Sequence, residues 1–356
     1  MIKIVTVIGA RPQFIKAAPV NQAFKASGGI LEKIIHTGQH FDNNMSRVFF
    51  EQMNIPEPDF NLDIHSLPHG AMTGRMTEAI EKILIDEKPE WLLVYGDTNS
   101  TLAGALAASK LKIPVAHVEA GLRSFNMEMP EEINRCITDR ISRLLFCPTP
   151  VAVENLKNEG FSGKNSRIVL SGDVMYDASI IFREKAKKPA EMSLPGEYVL
   201  ATVHRAENTD DVIKLKNIVK ALNTVSERLP VVLPLHPRTR KLLKEPGIPA
   251  LSDNIIVTGP VGYLEILYLL DNCRLLLTDS GGMQKEACFF EKACVTLREE
   301  TEWTELVDAG YNKLAGSDPD LIYSSFEHFS ENPPGFGRKL YGSGRAAEEI
   351  TRSLLM

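Results

Sequence analysis

The chain has 356 residues, of which 44% are hydrophobic and 24% charged, and its formal net charge is −6. This length exceeds the usual size of one hydrophobic core, so two domains are expected. The negative charge argues against a general nucleic-acid binder, and an N-terminal apolar run too short for a spanning helix argues against a membrane protein. The five cysteines have no CxxC spacing, so we expect reduced thiols in a cytoplasmic protein.

Taken in chain order, short apolar and β-branched segments alternate with longer amphipathic stretches. Continuous apolar strands separated by helices predict parallel sheets that are covered on both faces. The segments form two series, separated by an exposed linker near residues 172–195. The sequence therefore predicts an α/β fold with two doubly wound domains and a cleft between them. The predicted strands are KIVTVIG, KIIHTG, WLLVYGD, PVAHVEAG, LLFCPT, RIVLSGD, YVLATVH, VVLPLH, IIVTG, RLLLTDS and ACVTLRE.

Unusual polar residues follow the carboxyl ends of these strands, which is the edge where open α/β sheets bind ligands. The turns are GARPQ, TGQH, GDTNST, HVEAGLRS, VHRAEN, LHPRTRK and TDSGG. Helix capping accounts for Thr98 and Ser100. It does not account for six residues that are neither good caps nor good core residues: Arg11, Glu119, His204, Arg205, His236 and Arg238.

The stretch DSGGMQKEA, residues 279–287, places a glycine turn between a buried strand and a helix. Free N–H groups and the positive end of the helix dipole make such a turn a phosphate site. The motif is neither GxGxxG nor GxxxxGK[ST], so it does not by itself identify the nucleotide.

Signatures of metal, nucleophilic and NAD-dependent chemistry are missing from the sequence, and neither a metal nor a cofactor is expected. Acid–base chemistry by carboxylates and histidine remains, with cations for phosphate. Asp97, Glu119 and Glu131 come from consecutive segments of the first sheet and would raise one another's pKa if they converge. Taken alone, Glu131 is better explained as a carboxylate in the first turn of a helix that Pro130 begins.

These motifs, in this order, resemble the bacterial non-hydrolysing UDP-N-acetylglucosamine 2-epimerase family over essentially the whole chain. The resemblance implies two Rossmann-like domains of the glycosyltransferase-B type, with a C-terminal helix that crosses back to the first domain. The expected domains are residues 1–172 with 341–356, and residues 173–340, which bind UDP. The family is also expected to form homodimers.

The resemblance also assigns roles to residues. Ser280, Gly281 and Gly282 would hold the uridine diphosphate, Glu286 would reach the ribose, and Arg11, Lys16 and His236 would neutralise the diphosphate. The family eliminates UDP across C1 and C2 of the sugar and adds it back after protonation of C2 on the other face. Asp97, Glu119, Glu131 and His204 would be the catalytic residues. Gln39 and His40 would belong to an allosteric substrate site.

Departures from the family pattern leave the sugar open. Trp303 stands in TEWTE where the family has an arginine, and Ala10 and Gln13 stand where Thr and Glu are usual. These features resemble a branch that epimerises UDP-2,3-diacetamido-2,3-dideoxyglucuronate for bacterial surface polysaccharide. Arg123, Arg205 or Arg238 could then meet the uronate carboxylate. UDP-N-acetylglucosamine, a glycosyltransferase activity and a non-catalytic binding role stay open as alternatives.

Overall fold

The computed structural model describes residues 1–39, 55, 57–161, 166–190 and 192–356. They form two compact units, Met1–Ala178 with Tyr341–Met356, and Ser179–Leu340. The chain leaves the first unit within the helix Val174–Arg183, whereas the sequence predicts the boundary at residue 172. Burial of Val174 and Ala178 keeps the start of this helix in the first unit.

The first unit is a doubly wound parallel sheet. Its described strands are β1 Ile2–Ile8, β2 Ile30–His36, β3 Phe60–Asn61, β4 Trp91–Tyr95, β5 Val115–Val118, β6 Leu144–Cys147 and β7 Arg167–Leu170. They lie in the order β3-β2-β1-β4-β5-β6-β7, and neighbours are parallel. Its helices are α1 Arg11–Ser27, α2 His69–Glu87, α3 Asn99–Lys110, α4 Pro130–Ile141, α5 Pro150–Asn158 and the first half of α6 Val174–Arg183.

The second unit repeats the same strand order. Its described strands are β8 Val199–Thr202, β9 Val231–Pro234, β10 Ile255–Thr258, β11 Leu275–Thr278, β12 Cys294–Thr296 and β13 Asn312–Leu314. They lie in the order β10-β9-β8-β11-β12-β13, again parallel. The helices that follow are α7 Ala206–Thr209, α8 Val212–Ser226, α9 Pro237–Leu242, α10 Tyr263–Asn272, α11 Gly281–Phe289, α12 Thr304–Asp308 and α13 Pro319–Glu331.

The last helix, α14 Ala346–Leu355, belongs to the first unit and packs beside α1. The Asp177 carboxylate accepts hydrogen bonds from the N–H groups of Ala346 (3.1 Å) and Ala347 (2.8 Å) at its start. A carboxylate at this position satisfies donors that have no partner within the helix. The C-terminal segment is thus fastened to the first unit by α6.

The predicted α/β class and all eleven predicted strands are confirmed within the described residues. Two strands were not predicted, β3 and β13. The first has two residues, and the second has polar residues in two of its three positions. Such edges carry too little apolar pattern to be recognised in a sequence.

Each sheet buries its central strands completely, which explains their continuous apolar sequences. Val5, Val7, Leu92 and Val94 of the first unit are 0% exposed. The second unit has an equivalent core built on β8, β9 and β11. Full burial of each Val or Leu side chain contributes about 1.5–3 kcal/mol. These rigid strands fix the positions of the turns at their carboxyl ends.

In both sheets the strand order reverses beside the first strand of the unit, between β1 and β4 and between β8 and β11. Ligands of open α/β proteins bind at such switch points. The turns that begin at Gly9, Gly96, Val203 and Asp279 follow these four strands. The polar motifs of the sequence are therefore concentrated at the switch point of each unit.

Candidate active site

Gln13 holds the turn after β1 against the turn after β4. Its buried Oε1 accepts hydrogen bonds from the N–H groups of Gly9 (2.8 Å) and Ala10 (3.0 Å). Its Nε2 donates to the Tyr95 carbonyl (2.8 Å) and to the Thr98 hydroxyl (3.0 Å). A carboxylate could not donate to that carbonyl. The geometry therefore accounts for an amide at this position, where the resembling family has Glu.

Gly9 permits a close approach of β1, β2 and α3. A Cβ at Gly9 would collide with the hydroxyls of Thr37 and Ser100. Ser100 is not the helix cap that the sequence predicts, because its hydroxyl bonds to Thr37 (2.8 Å) and donates to Gln39 Oε1 (2.8 Å). Gln39 Oε1 also accepts from the Ser100 N–H at 3.0 Å. Gln39 thus contacts the start of α3, and His40, its predicted allosteric partner, lies outside the described residues.

Thr98 is the N-cap of α3, as predicted. Its hydroxyl accepts from the Thr101 N–H at 3.3 Å, and the Thr98 N–H donates to the Thr101 hydroxyl at 3.2 Å. This reciprocal capping fixes the loop that carries Asp97.

Lys16 of α1 forms an ion pair with Glu119, and both side chains are largely buried. A Cβ at Gly96 would lie 3.3 Å from Glu119 Oε2 and 3.4 Å from Lys16 Nζ, so the pair lies over the turn after β4. The resemblance assigns Lys16 to the diphosphate. In the structure Lys16 pairs with Glu119 and lies close to Gly96, the residue before Asp97. Arg11 begins α1, and its side chain lies outside the described part of the structure.

Glu119 has a left-handed backbone with φ of 72°. This region is costly for a residue with a side chain, and such strain concentrates at functional sites. The conformation is held because the N–H groups of Glu119 and Ala120 both donate to the Phe146 carbonyl at 3.0 Å. This backbone conformation occurs at the residue that directly follows β5, at the edge of the sheet.

Asp97 is held by the start of α4. Its carboxylate forms an ion pair with Arg135, and its carbonyl accepts a hydrogen bond from Asn134 Nδ2 at 2.9 Å. Arg135 Nη1 also donates to the buried Glu132 at 3.0 Å. Asp97 and Glu119 therefore each have a cationic partner, Arg135 and Lys16. The sequence predicts acids that converge and raise one another's pKa, whereas in the structure each of these two acids lies beside a cation.

Glu131 lies in the first turn of α4, and Pro130 begins that helix as predicted. The Glu131 side chain is exposed. Residues four apart share a helix face, so Glu131 lies on the same face as Arg135, which contacts Asp97. Glu131 is thus an exposed residue on the helix whose Arg135 contacts Asp97.

Arg123 does not present a free guanidinium. Its Nε and Nη2 donate to Glu159 at 2.6 and 2.8 Å, and its Nη1 donates to Asp139 at 2.7 Å. The side chain is 1% exposed. Burial lowers the pKa of Arg123, but Glu159 and Asp139 raise it well above its usual value, so the group is a permanent cation. The sequence predicts that Arg123 contacts the substrate, whereas this geometry indicates an internal ion pair.

In the second unit, the fully buried Asp279 joins the turn after β8 to the turn after β11. Its Oδ2 accepts hydrogen bonds from the N–H groups of His204 and Arg205, both at 2.9 Å. His204 Nδ1 lies 3.2 Å from Asp279 Oδ1, and half of the imidazole is exposed. A carboxylate at Nδ1 favours a proton there and leaves Nε2 available for proton transfer. Asp279 thus orients a predicted catalytic histidine.

The predicted phosphate turn forms the start of α11. Ser280 is the N-cap, and its side chain makes no capping hydrogen bond. Gly281 and Gly282 begin the helix, where backbone N–H groups lack partners within the helix. A Cβ at Gly282 would meet no heavy atom within 4 Å. This end of α11 has the open N–H groups and dipole that an anion requires.

Trp303 supports the first turn of α11. Its Nε1 donates to the Gly281 carbonyl at 3.0 Å, and Lys285 Nζ lies 4.0 Å from the centre of its rings. Trp303 is 7% exposed, so both contacts are shielded from water. The residue that departs from the family pattern is therefore built into the predicted phosphate site.

Arg205 also lies beside this turn. A Cβ at Gly281 would be 3.6 Å from Arg205 Nη2 and 3.7 Å from Glu302 Oε2. Burial raises the pKa of Glu302, but the charges of Arg298 and Arg205 lower it overall, so Glu302 is ionised. Arg205 is thus held close to the start of α11.

The remaining predicted residues of the second unit lie around the same edge. Glu286 is buried in α11. His236 is the exposed N-cap of α9, and its Nδ1 accepts from the Arg238 N–H at 3.3 Å. Arg238 forms an exposed ion pair with Asp210.

Sequence reasoning missed four residues that hold the predicted site residues: Asp279, Arg135, His117 and Asp139. Asp279 directly precedes the glycine turn, and Arg135 lies four residues after Glu131. Those two positions could have been recognised. The pairing of His117 with Asp139 could not, because it joins a strand to a helix 22 residues away.

The two sheets define a Rossmann-like fold, with paired acidic side chains at the edge of the first unit and a glycine turn that begins a helix at the edge of the second. The family described as UDP-N-acetylglucosamine 2-epimerase matches residues 22–355. UDP-2,3-diacetamido-2,3-dideoxy-D-glucuronate 2-epimerase of Pseudomonas aeruginosa is 55% identical over 99% of both chains. The chain belongs to the UDP-N-acetylglucosamine 2-epimerase family and is an isomerase.

Solved structures agree with this family. Methanocaldococcus jannaschii UDP-GlcNAc 2-epimerase, in complex with UDP-GlcNAc and UDP, matches with a TM-score of 0.88 at 43% identity over 99% of both chains. The Neisseria meningitidis UDP-GlcNAc 2-epimerase bound to UDP-GlcNAc matches with a TM-score of 0.87 at 32% identity over 99% of both chains. The resemblance inferred from the motifs is confirmed, including the glycosyltransferase-B type of fold. Within the described residues, no helix is long and apolar enough to cross a membrane.

Proposed function

We propose that the protein epimerises C2 of UDP-2,3-diacetamido-2,3-dideoxy-D-glucuronate, in a pathway to bacterial surface polysaccharide. The observation that carries this choice is the 55% identity, over 99% of both chains, to the Pseudomonas aeruginosa 2-epimerase of that name. The Methanocaldococcus and Neisseria UDP-N-acetylglucosamine 2-epimerases are 43% and 34% identical. UDP-N-acetylglucosamine is the second candidate substrate. A glycosyltransferase is not favoured, because the family and these relatives are epimerases.

The proposed reaction removes the C2 proton and breaks the bond between C1 and the UDP oxygen, which gives a glycal and UDP. Protonation of C2 on the opposite face and re-formation of the C1–O bond complete the epimerisation. Each step only transfers a proton and breaks or forms a C–O bond, so neither step calls for a redox cofactor. Asp97, Glu119, Glu131 and His204 are the proposed acid–base groups. The ion pairs of Asp97 and Glu119, and the contact of His204 with Asp279, support fixed orientations for three of them.

The diphosphate is proposed to bind at the start of α11, at Ser280, Gly281 and Gly282. The open N–H groups and the helix dipole support this assignment. Arg11, Lys16 and His236 are proposed to add positive charge, and Glu286 to bind the ribose. Anion stabilisation by these groups would help UDP to leave from C1.

Arg205 is the best candidate for the uronate carboxylate among the three arginines that the sequence suggests. Arg123 is internally paired and Arg238 pairs with Asp210, whereas the Arg205 guanidinium lies beside the exposed start of α11. A guanidinium binds a carboxylate with two parallel hydrogen bonds. Arg205→Lys should therefore reduce kcat/KM more for the uronate than for UDP-N-acetylglucosamine.

We also propose that the protein acts in the cytoplasm as a homodimer, with Gln39 and His40 in an allosteric site. Its five cysteines lie in the described part of the chain as free thiols, in keeping with a reducing compartment. The dimer and the allosteric site are carried over from the family resemblance. Sedimentation analysis tests the dimer. Activity measured against substrate concentration tests the allosteric site.

The function is tested by incubating the protein with each UDP-sugar alone. We expect a second UDP-sugar to accumulate to equilibrium without any acceptor, with a higher kcat/KM for the diacetamido-uronate. A higher kcat/KM for UDP-N-acetylglucosamine would contradict the proposed substrate. Turnover that requires an acceptor would overturn the proposed reaction.

A further inference from the structure

His117 lies on β5 inside the first unit and is 0% exposed. Its Nδ1 is 2.7 Å from Asp139 Oδ1, and its Nε2 is 2.7 Å from the Gly96 carbonyl oxygen. Both distances are those of good hydrogen bonds. The ring therefore links α4 to the turn after β4.

Both partners of His117 are acceptors. A backbone carbonyl cannot donate a proton, so Nε2 has to carry one. Asp139 Oδ2 accepts from the Gly121 N–H at 3.1 Å and from Arg123 Nη1 at 2.7 Å, which are contacts of a carboxylate. With Asp139 ionised, Nδ1 carries a proton as well. The two hydrogen bonds together require an imidazolium.

The pKa of Asp139 agrees with this arrangement. Burial alone would raise it, but the hydrogen bonds and charges of His117 and Arg123 lower it overall. Asp139 is therefore an anion at neutral pH.

Charged side chains from α4, from the loop before it and from the end of α5 are linked to His117 by a chain of ion pairs. Asp139 faces His117 from α4, Arg123 contacts Asp139 from the preceding loop, and Glu159 contacts Arg123 from the end of α5. Cys136 on α4 lies close enough to feel these charges, and burial raises the pKa of its thiol, so it is neutral. Glu159 lies at the surface, so the buried carboxylate of this group is Asp139, which accepts a hydrogen bond from Arg123 and has His117 Nδ1 2.7 Å from its Oδ1.

We propose that His117 is a protonated positioning residue that fixes the Gly96 carbonyl, and with it the Gly96–Asp97 turn, beneath the Lys16–Glu119 pair. This role rests on the proposed function, because it positions the groups proposed to move the C2 proton. Gly96 has a φ of 62°, and its N–H donates to the Val118 carbonyl at 3.0 Å. The turn is thus held from both sides by β5, at Gly96 N and at Gly96 O.

The Gly96–Asp97 turn lies close to Glu119, so its position affects the proposed acid–base groups. A Cβ at Gly96 would already be within 3.4 Å of both Lys16 and Glu119. A shift of Gly96 therefore moves Asp97, which follows it, relative to Glu119. Acid–base catalysis depends on distances of this kind to within a fraction of an ångström.

The protonation state can be measured in the wild-type protein near neutral pH by nitrogen NMR of the histidine rings. We expect one ring to keep protons on both nitrogens while the exposed rings lose one. The signal should disappear in His117→Gln and persist in His328→Gln, a control on the exposed face of α13. If no ring is doubly protonated at that pH, the proposal is wrong. The wild-type spectrum requires no activity, and the two variants serve only to assign the doubly protonated ring.

The positioning role is tested with Asp139→Asn, which keeps the shape of the side chain and removes its charge. We expect kcat to fall by roughly 10²-fold, with KM and the affinity for UDP changed less than about threefold, since the proposed diphosphate turn is in the other unit. His328→Gln should leave kcat unchanged. A parallel rise in KM and loss of UDP affinity, or an unchanged kcat in a folded Asp139→Asn, would overturn the positioning role. If Asp139→Asn fails to fold, the nitrogen NMR of the wild type decides the proposal. If the wild type itself is inactive, the proposed function is wrong, but the protonation state of His117 can still be measured.

Discussion

At the scale of single residues, the predicted acids differ in their surroundings. Glu119 is buried against Lys16, so its replacement by Gln would leave a cation without its partner and lower stability as well as turnover. Glu131 is exposed in the first turn of α4, and a change there separates catalysis from stability more cleanly.

Glu131→Gln should lower kcat by roughly 10²–10⁴-fold if the carboxylate transfers a proton. A carboxylate that serves only the helix dipole would instead contribute about 0.3–1 kcal/mol to stability. Turnover and thermal melting are measured on the same preparations, with the nearby exposed Glu128→Gln as the control. Normal kcat in Glu131→Gln would remove this residue from the catalytic group.

Gln13 gives a second prediction at this scale. Gln13→Glu places an oxygen opposite the Tyr95 carbonyl and loses a buried hydrogen bond, so the free energy of unfolding should fall by about 1–3 kcal/mol. Urea unfolding measures the change, and the half-buried Gln22→Glu on the same helix is the control. Equal stabilities of the Gln13 and Gln22 variants would contradict the account of this turn.

At the scale of elements, the strands and the ligand-binding edge at their carboxyl ends could be predicted, because buried parallel strands have continuous apolar sequences. The partners of the site residues could not. Lys16 meets Glu119 from α1, and Arg135 meets Asp97 from α4, across 103 and 38 residues of sequence. Such pairs depend on strand order, which periodicity does not reveal.

The junction of α6 with α14 gives stability a pH dependence. Burial raises the pKa of Asp177 to about 6, although the N–H groups of Ala347 and Ala346 lower it in part. The folded state therefore binds the proton more tightly than the unfolded chain. Stability should fall as pH rises from ~4 to ~6, by at most roughly 3 kcal/mol, and stay at the lower level above that range.

Urea unfolding between pH 4 and 7 tests this prediction. Asp177→Asn keeps an acceptor for α14 and cannot ionise, so the fall relative to wild type should disappear. Asp271→Asn on the surface of the second unit is the control, and it should keep the wild-type slope. If the stability of Asp177→Asn fell with pH in parallel with that of the wild type, Asp177 would not be the source of the pH dependence.

Trp303 tests the start of α11 as an element. Trp303→Phe keeps an aromatic ring beside Lys285 and loses the hydrogen bond to the Gly281 carbonyl, so UDP affinity should fall by about 0.5–1.5 kcal/mol. Calorimetry with UDP measures it, and Trp91→Phe at the start of β4 is the control. Unchanged UDP affinity would show that Trp303 does not support the anion site.

At the scale of the whole molecule, each unit carries one part of the proposed chemistry. The first unit holds Asp97 and Glu119 beside paired cations, and the second holds the proposed anion-binding turn and His204. The family could be recognised from the sequence because motifs from both units occur in the order that the family has them. The sugar could not, because relatives of this chain are named for different UDP-sugars.

The most direct test of C2 epimerisation by elimination is a proton NMR experiment in deuterated water with UDP-2,3-diacetamido-2,3-dideoxy-D-glucuronate. Because the C2 proton leaves and is replaced from solvent, the manno product should carry deuterium at C2, and traces of free UDP should appear with the glycal. A product that keeps its original C2 hydrogen, or the absence of any new UDP-sugar, would contradict the account.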